Sequence, residues 1–304
     1  MLGYRTLAET FPIGARESSY PMLVGVTPEP KIMALTPELK EMACRLEKSA
    51  EFARSCAMRD LERSLCGCDY GSTGNTTRQE AEQIAELLDL RPGVKLLDVG
   101  AGSGWPGLYL AQLTGCDAVV VDIPIAALRI ALERAIADGQ SERCWVVAAD
   151  AASLPFEDAT FDAVSHSDLL CCTPDKVGVL RACRRVARDG ARTVFTVIAP
   201  APSLADPERR IATASGPKFV DTPDDYAELL NQSGWCLRER TDLTTQLLQF
   251  ARAELEGMQV RANAFTELYG SDEFAERIKR QEAMIAAVDA GFLRRELFVA
   301  HAGR

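Results

Sequence analysis

Histidine, basic charge and long apolar runs are all scarce in this chain of 304 residues. Only His166 and His301 occur, so we predict no zinc site built from paired cysteines and histidines. Asp and Glu outnumber Lys and Arg by 44 to 34, which gives a net charge of -10. A chain with this balance is a poor general binder of nucleic acid or of anionic membrane. The lack of a run of about 18 apolar residues disfavours a transmembrane helix.

A basic start followed by an apolar core, which is typical of a secretory signal, is also missing from the amino terminus. The ten cysteines include the pair Cys66 and Cys68 and the adjacent Cys171 and Cys172. Neither pair has the spacing typical of zinc ligands. We therefore expect reduced thiols, no bound metal and a cytoplasmic protein.

Apolar strands and capped helices alternate along most of the chain, which predicts a mostly parallel sheet covered by helices on both faces. Two segments depart from this alternation. Residues 1–65 read as an irregular arm, up to residue 35, and a helix from Thr36 to about Leu65. A helical stretch over 244–290 precedes the last strand. We predict one domain over 66–304 that carries this stretch as an insertion.

A glycine-rich turn lies in the segment KLLDVGAGSGWPGLYLAQL. Gly100, Gly102 and Gly104 allow a sharp bend and the close approach of a ligand to the backbone, and the helix that follows offers free N–H groups. Gly102, Gly104 and Gly107 also match the G-x-G-x-x-G pattern of dinucleotide sites. Asp98, just before the turn, favours a ligand with a cationic amino-acid portion over a pyrophosphate.

The segment LLDVGAGSG resembles the first motif of class I S-adenosylmethionine-dependent methyltransferases, and further segments match that family in order over residues 70–240. The resemblance implies a Rossmann-like seven-stranded sheet with an antiparallel last strand. It also implies S-adenosyl-L-methionine as cofactor and in-line methyl transfer to a carbon, nitrogen or oxygen nucleophile of a small molecule.

Later motifs of the same family suggest where the cofactor is held. VVVDIP places Asp122 where the family binds the ribose hydroxyls, and VVAADAASLPFEDATFDAV places Asp150 and Ala151 beside the adenine. The predicted cofactor set also contains Tyr70, Asp98, Gly100, Ala101, Gly102, Gly104, Ile123 and Ser165.

His166 and Asp168 are the candidate catalytic residues, because they follow the fourth strand at the edge where open α/β sheets bind ligands. A histidine there can take a proton from the acceptor near neutral pH. Contact with cofactor or substrate, and simple packing, are its alternatives. Asp168 is expected to orient His166 or to bind a cationic acceptor.

Three other functions stay open at this point: a nicotinamide-dependent oxidoreductase with the same glycine turn, a non-catalytic S-adenosylmethionine-binding partner subunit, and transfer to a thiolate-bound metalloid. The acidic composition favours a small-molecule acceptor over nucleic acid or membrane, and a homodimer is left open. We expect the loops 66–77 and 165–173 and the helices of 244–290 to close over the acceptor.

Overall fold

The computed structural model describes residues 37, 40, 41, 44, 47, 50, 52–71, 74–222 and 224–303. The arm predicted for residues 1–35 lies outside the described residues. Described positions up to residue 53 are helical, but the helix does not continue unbroken to Leu65 as predicted. Ser55 accepts a hydrogen bond from the backbone N–H of Met58 (3.2 Å) and thereby starts a new helix, α1 (Cys56–Cys66).

Seven strands form one sheet in the order β3-β2-β1-β4-β5-β7-β6. Their bounds are β1 Lys95–Val99, β2 Asp117–Asp122, β3 Cys144–Ala148, β4 Phe161–Ser167, β5 Ala187–Pro200, β6 Trp235–Asp242 and β7 Leu293–Ala302. Strands β1 to β5 pair in parallel, whereas β7 runs antiparallel to both β5 and β6. The predicted sheet with its antiparallel last strand is confirmed.

Nine further helices follow α1 in the described part of the chain. They are α2 Arg78–Leu87, α3 Gly107–Thr114, α4 Ile125–Ala137, α5 Lys176–Val186, α6 Asp206–Ser215, α7 Tyr226–Gln232, α8 Thr244–Val260, α9 Ala262–Tyr269 and α10 Ser271–Asp289. Helix α6 was not predicted, although Pro207 and Glu208 in its first turn are typical of a helix start.

The end of α5 lies before the pair Asp189 and Gly190. Such a pair is typical of a helix end, but α5 ends at Val186 and the next strand begins at once. Gly190 has a φ of +77°, and the pairing of β5 with β4 shifts register in this region. The pair therefore lies in an irregular start of β5, because glycine accommodates the left-handed backbone that the shift requires.

Alternate side chains of the buried strands feed two apolar clusters, one on each face of the sheet. Leu96 of β1 packs in the cluster with α2, α3 and α4. Leu97, the next residue, packs in the cluster with α5, α6 and α7. Helices thus cover both faces, as predicted for a Rossmann-like sheet.

Helices α8, α9 and α10 form the insertion, which leaves the sheet after β6 and returns at β7. The two strands pair at Asp242 and Glu296, so the ends of the insertion are neighbours. Leu247 of α8 and Val288 of α10 belong to the core cluster on one face of the sheet. The insertion is therefore attached to the domain by buried contacts as well as by its two ends. The domain boundary after residue 65 stays a prediction.

Candidate functional site

A cavity of about 390 Å³ lies at the carboxyl ends of β1, β2 and β4. This is the edge at which open α/β sheets bind ligands. Its wall includes the glycine turn, parts of both loops expected to close over the acceptor, and residues of α8 and α10. Among the described residues that line it, the charged side chains are all carboxylates, namely those of Asp122, Asp150, Asp168 and Glu254.

The glycine turn is fixed to the neighbouring strand through its backbone. The N–H groups of Gly100 and Ala101 both donate to the carbonyl of Val121, at 2.7 and 3.1 Å. Gly100 has a φ of +73°, and a Cβ there would lie 2.8 Å from Leu169. A Cβ on Gly102 would meet nothing within 4 Å. Gly102 thus leaves open space beside the cavity, which suits the close approach of a ligand.

Asp98 supports this turn from behind, because it does not line the cavity. Its side chain is buried and accepts hydrogen bonds from the Ser165 hydroxyl (2.7 Å) and from the Gly107 N–H (2.9 Å). Burial raises the pKa of Asp98 to about 7. Asp98 and Ser165 therefore join β1, β4 and α3. Neither residue lines the cavity, so neither is placed for the direct ligand contact that was predicted.

Asp122 and Asp150 do line the cavity, and backbone donors orient both. Asp122 accepts from the N–H of Gly102 (2.7 Å) with one oxygen and from its own neighbour Ile123 (2.7 Å) with the other. Burial raises its pKa. Asp150 accepts from the N–H of Ala152 (2.9 Å). Each carboxylate oxygen has a second lone pair, so both residues can still accept hydrogen bonds from a ligand.

Seven of the eleven predicted cofactor residues line the cavity together. They are Gly100, Ala101, Gly102, Asp122, Ile123, Asp150 and Ala151. Gly104 lies just behind the wall with a φ of +99°, and a Cβ there would lie 2.5 Å from Leu108. Gly104 therefore contributes to the bend of the turn. These residues fit a ligand with a cationic amino-acid end, ribose hydroxyls and a flat base, so the predicted cofactor suits the site.

Tyr70 was expected to cover the cofactor, but it is buried and does not line the cavity. Its ring lies 5.2 Å from that of Trp105, and the guanidinium of Arg134 lies 4.3 Å from the Tyr70 ring centre. Trp105 lines the cavity instead, and its indole N–H donates to the carbonyl of Thr76 (2.8 Å). Tyr70 thus packs behind the aromatic residue that faces the ligand space.

His166 does not line the cavity either. Its imidazole is buried, stacks on Phe195 at 4.5 Å, and has no hydrogen-bond partner on either nitrogen among the described residues. Burial lowers the pKa of His166 to about 3. This geometry favours the packing alternative over a general base that faces an acceptor.

Asp168 lines the cavity but does not orient His166 by any hydrogen bond found in the described residues. Its carboxylate accepts from the Arg295 guanidinium at 3.0 and 3.1 Å and from the Asn75 amide at 3.1 Å. Asp168 also has a φ of +52°, a left-handed conformation that is uncommon outside glycine. These contacts hold it in place at the wall.

Arg295 is a central residue of the site that the sequence did not reveal. It is fully buried on β7, and besides Asp168 it donates to Glu80 (2.9 Å), Thr196 (3.1 Å) and Thr76 (3.3 Å). Each of the three guanidinium nitrogens therefore donates at least one hydrogen bond. Arg295 connects β7 with β4, β5, α2 and the loop before α2, so one side chain positions several parts of the wall.

The insertion contributes Glu254 of α8 and two residues of α10, Gln281 and Met284, to the wall. None of these was a candidate, because helical spacing alone predicts an amphipathic face without indicating what it covers. Burial raises the pKa of Glu254 to about 7. The segment before α1 reaches this edge as well: Glu47 accepts from the N–H groups of Ile125 and Ala126 at the start of α4.

A protein-family model described as a methyltransferase domain matches residues 97–195, from β1 into β5. Among curated proteins, the chain is 31% identical over 183 residues to methyltransferase GfsG of Streptomyces halstedii. This match covers 59% of this chain and 66% of that protein. Three other curated relatives are matched over 46%, 47% and 45% of their length. The chain thus spans about half the length of those three relatives.

Two solved structures share the fold over most of the chain. Haemonchus contortus phosphoethanolamine N-methyltransferase 2, in complex with S-adenosyl-L-methionine, superposes with a TM-score of 0.73 at 15% identity over 91% of this chain and 62% of that chain. The [4+2]-cyclase SpnF superposes with a TM-score of 0.68 at 19% identity over 94% of this chain and 99% of that chain. At these identities the likeness is one of fold.

In the described part of the chain, no helix is long and apolar enough to cross a membrane. The same residues contain no group of three or more side chains arranged to hold a metal ion.

Proposed function

This chain belongs to the class I S-adenosylmethionine-dependent methyltransferase family, and we propose from that premise that it transfers the methyl group of S-adenosyl-L-methionine to a small-molecule acceptor. One observation carries the proposal. Asp122 hydrogen-bonds the N–H of Gly102 at the open face of the glycine turn, beside Asp150 on the next strand end. This arrangement offers acceptors for the ribose and open backbone for the amino-acid end of the methyl donor.

The bound methyl donor supplies an activated methyl group on a sulfonium, so the protein's main tasks are positioning and exclusion of water. Gly100, Ala101 and Gly102 hold the amino-acid end, Asp122 accepts from the ribose hydroxyls, and Asp150 with Ala151 contacts the adenine. The acceptor lies on the side of the cavity formed by α8 and α10. With the donor bound, the acceptor would attack the methyl carbon in line with the carbon–sulfur bond, and S-adenosylhomocysteine would leave as the new bond forms. The proton of an O–H or N–H acceptor would pass to solvent or to a wall carboxylate.

A second candidate is a protein that binds the same donor and does not transfer its methyl group. The likeness to a [4+2]-cyclase favours keeping this candidate, because it covers nearly all of both chains and a fold does not define a reaction. The buried position of His166, which does not line the cavity, is a second observation that supports this candidate.

Calorimetric titration with S-adenosylhomocysteine and, separately, with NADH tests the first step of the proposal. We expect S-adenosylhomocysteine to bind at micromolar concentration and NADH to bind much more weakly. The reverse preference would favour the nicotinamide oxidoreductase.

Incubation with methyl-labelled S-adenosylmethionine and fractionated small molecules tests the transfer. We expect label in a small-molecule product and an equal amount of S-adenosylhomocysteine, and the Asp122→Ala variant should lose both. Tight binding without labelled product from any fraction would support the non-transferring candidate.

A further inference from the structure

Two polar side chains of the insertion meet at the cavity wall. Gln281 of α10 donates both amide hydrogens, one to the carbonyl of Ala251 (3.1 Å) and one to Oε2 of Glu254 on α8 (2.8 Å). Both partners are pure acceptors, so the amide can point only its NH₂ group towards them. The Gln281 oxygen and the second Glu254 oxygen keep their capacity to accept hydrogen bonds, and both residues line the cavity.

The cavity that this polar pair lines also has apolar side chains in its wall. They include Leu169, Ile198, Pro217 and Met284. A site with a few fixed acceptors in apolar surroundings suits a ligand that presents hydrogen-bond donors on an apolar body. Acceptors that are already oriented cost little further ordering when a ligand binds.

Arg277 and Tyr269 of the insertion interact electrostatically with Glu254. Arg277 lies one turn before Gln281, and its charge favours the ionised form of Glu254. The Arg277 guanidinium lies 3.0 Å from Glu273 and 4.2 Å from the ring centre of Tyr269, and Gln281 is the hydrogen-bond donor found for the Glu254 carboxylate in the described residues. Glu254 therefore remains available to a ligand.

We propose that Glu254 and Gln281 form the acceptor-recognition site, and that the acceptor carries an aliphatic amine on an apolar body. An ammonium group matches this pair because it offers three N–H donors and a positive charge to a carboxylate and an amide oxygen. The inference rests on the proposed function and specifies its acceptor. Glu254 and Gln281 are assigned here to binding of the amine.

Calorimetry with three probes of equal alkyl length tests the inference: octylamine, octanol and octyl sulfate, each titrated at pH 8 with saturating S-adenosylhomocysteine. Equal chains match the apolar contribution, so differences report the head group. We expect octylamine to bind wild type at least about ten-fold more tightly than octanol, since a charged hydrogen bond contributes about 1.5–3 kcal/mol. Octyl sulfate should bind most weakly, because the wall is acidic.

Glu254→Gln should remove the preference for octylamine and leave octanol binding unchanged. Glu256→Gln is the matched control, because Glu256 is exposed on the same helix and should retain the preference. Burial raises the pKa of Glu254 to about 7, so the preference of wild type should increase from pH 6 to pH 8 as the carboxylate ionises. The Glu254→Gln variant should lack this increase.

S-adenosylhomocysteine binding separates the possible failures. If wild type does not bind S-adenosylhomocysteine, the proposed function fails. If it binds but shows no amine preference, or if Glu254→Gln keeps that preference, the acceptor site is overturned while the function stands. If Glu254→Gln weakens the binding of S-adenosylhomocysteine as much as the binding of octylamine, Glu254 contacts the methyl donor. That result also overturns the inference. Circular dichroism of each variant verifies that it is folded.

Discussion

The two sides of the cavity are held together by different kinds of contact. On the sheet side, backbone groups at strand ends fix the wall, as in the bonds from Gly100 to Val121 and from Gly102 to Asp122. On the insertion side, the polar wall consists of Glu254 fixed by the amide of Gln281. The first arrangement depends on glycines at fixed positions and is visible in a sequence. The second depends on which helical side chains happen to meet.

Loss of the Arg295 side chain should have the largest effect, because this guanidinium is buried and paired with two carboxylates. It holds Asp168, Glu80 and the loop at Thr76. Arg295→Met leaves two buried carboxylates without their cation, so we expect a loss of about 3–5 kcal/mol in the free energy of unfolding. Urea titration measures it.

The control for this prediction is Arg252→Met, which removes an exposed pair with Asp289. That variant should lose less than about 1 kcal/mol. Equal losses in the two variants would contradict a supporting role for Arg295.

Asp122→Ala tests the sheet side alone. We expect the Kd for S-adenosylhomocysteine to rise by at least about 100-fold, because two hydrogen bonds to a charged group are lost at about 1.5–3 kcal/mol each. Asp117→Ala, at the opposite end of the same strand, should stay within two-fold. An unchanged affinity in Asp122→Ala would mean that the ribose is held elsewhere.

The pH dependence of stability should reveal Asp98 behind the turn. Because burial raises the folded-state pKa of Asp98 to about 7, the folded protein holds a proton between about pH 4 and pH 7 that the unfolded chain releases. The contribution of Asp98 to the free energy of unfolding is therefore complete below pH 4 and is lost as the pH rises through 7. Asp98→Asn should reduce the slope of the free energy of unfolding against pH by up to ~1.4 kcal/mol per pH unit between about pH 4 and pH 7. Parallel slopes for the two proteins would contradict the assignment.

His166→Phe should have the smallest effect on ligand binding, and it distinguishes a packing residue from a catalytic one. The aromatic stack on Phe195 can be retained, and two buried nitrogens without partners are removed. We expect S-adenosylhomocysteine affinity within two-fold of wild type and a free energy of unfolding that is unchanged or about 1 kcal/mol higher. Loss of methyl transfer in a variant that still binds the donor would restore the catalytic role.

The sequence predicted the sheet, its antiparallel last strand and the glycine turn, because these follow from local patterns of apolar residues, caps and glycines. It did not predict Arg295, whose partners lie 127, 215, 219 and 99 residues away in the chain. Such contacts are created by tertiary packing alone. The position of His166 behind the cavity wall was missed for a related reason: β4 continues to Ser167, and a sequence indicates the edge of the sheet but not the direction of a side chain.

The neighbouring ends of the insertion have an evolutionary consequence. Because Asp242 pairs directly with Glu296, the chain leaves and re-enters the sheet at one place, much as a hairpin loop does. Descendants can lengthen, shorten or exchange the helices between these strands without a change in the register of the other five. Under the proposed function, acceptor preference could then diversify while the sheet side that holds the methyl donor stays unchanged.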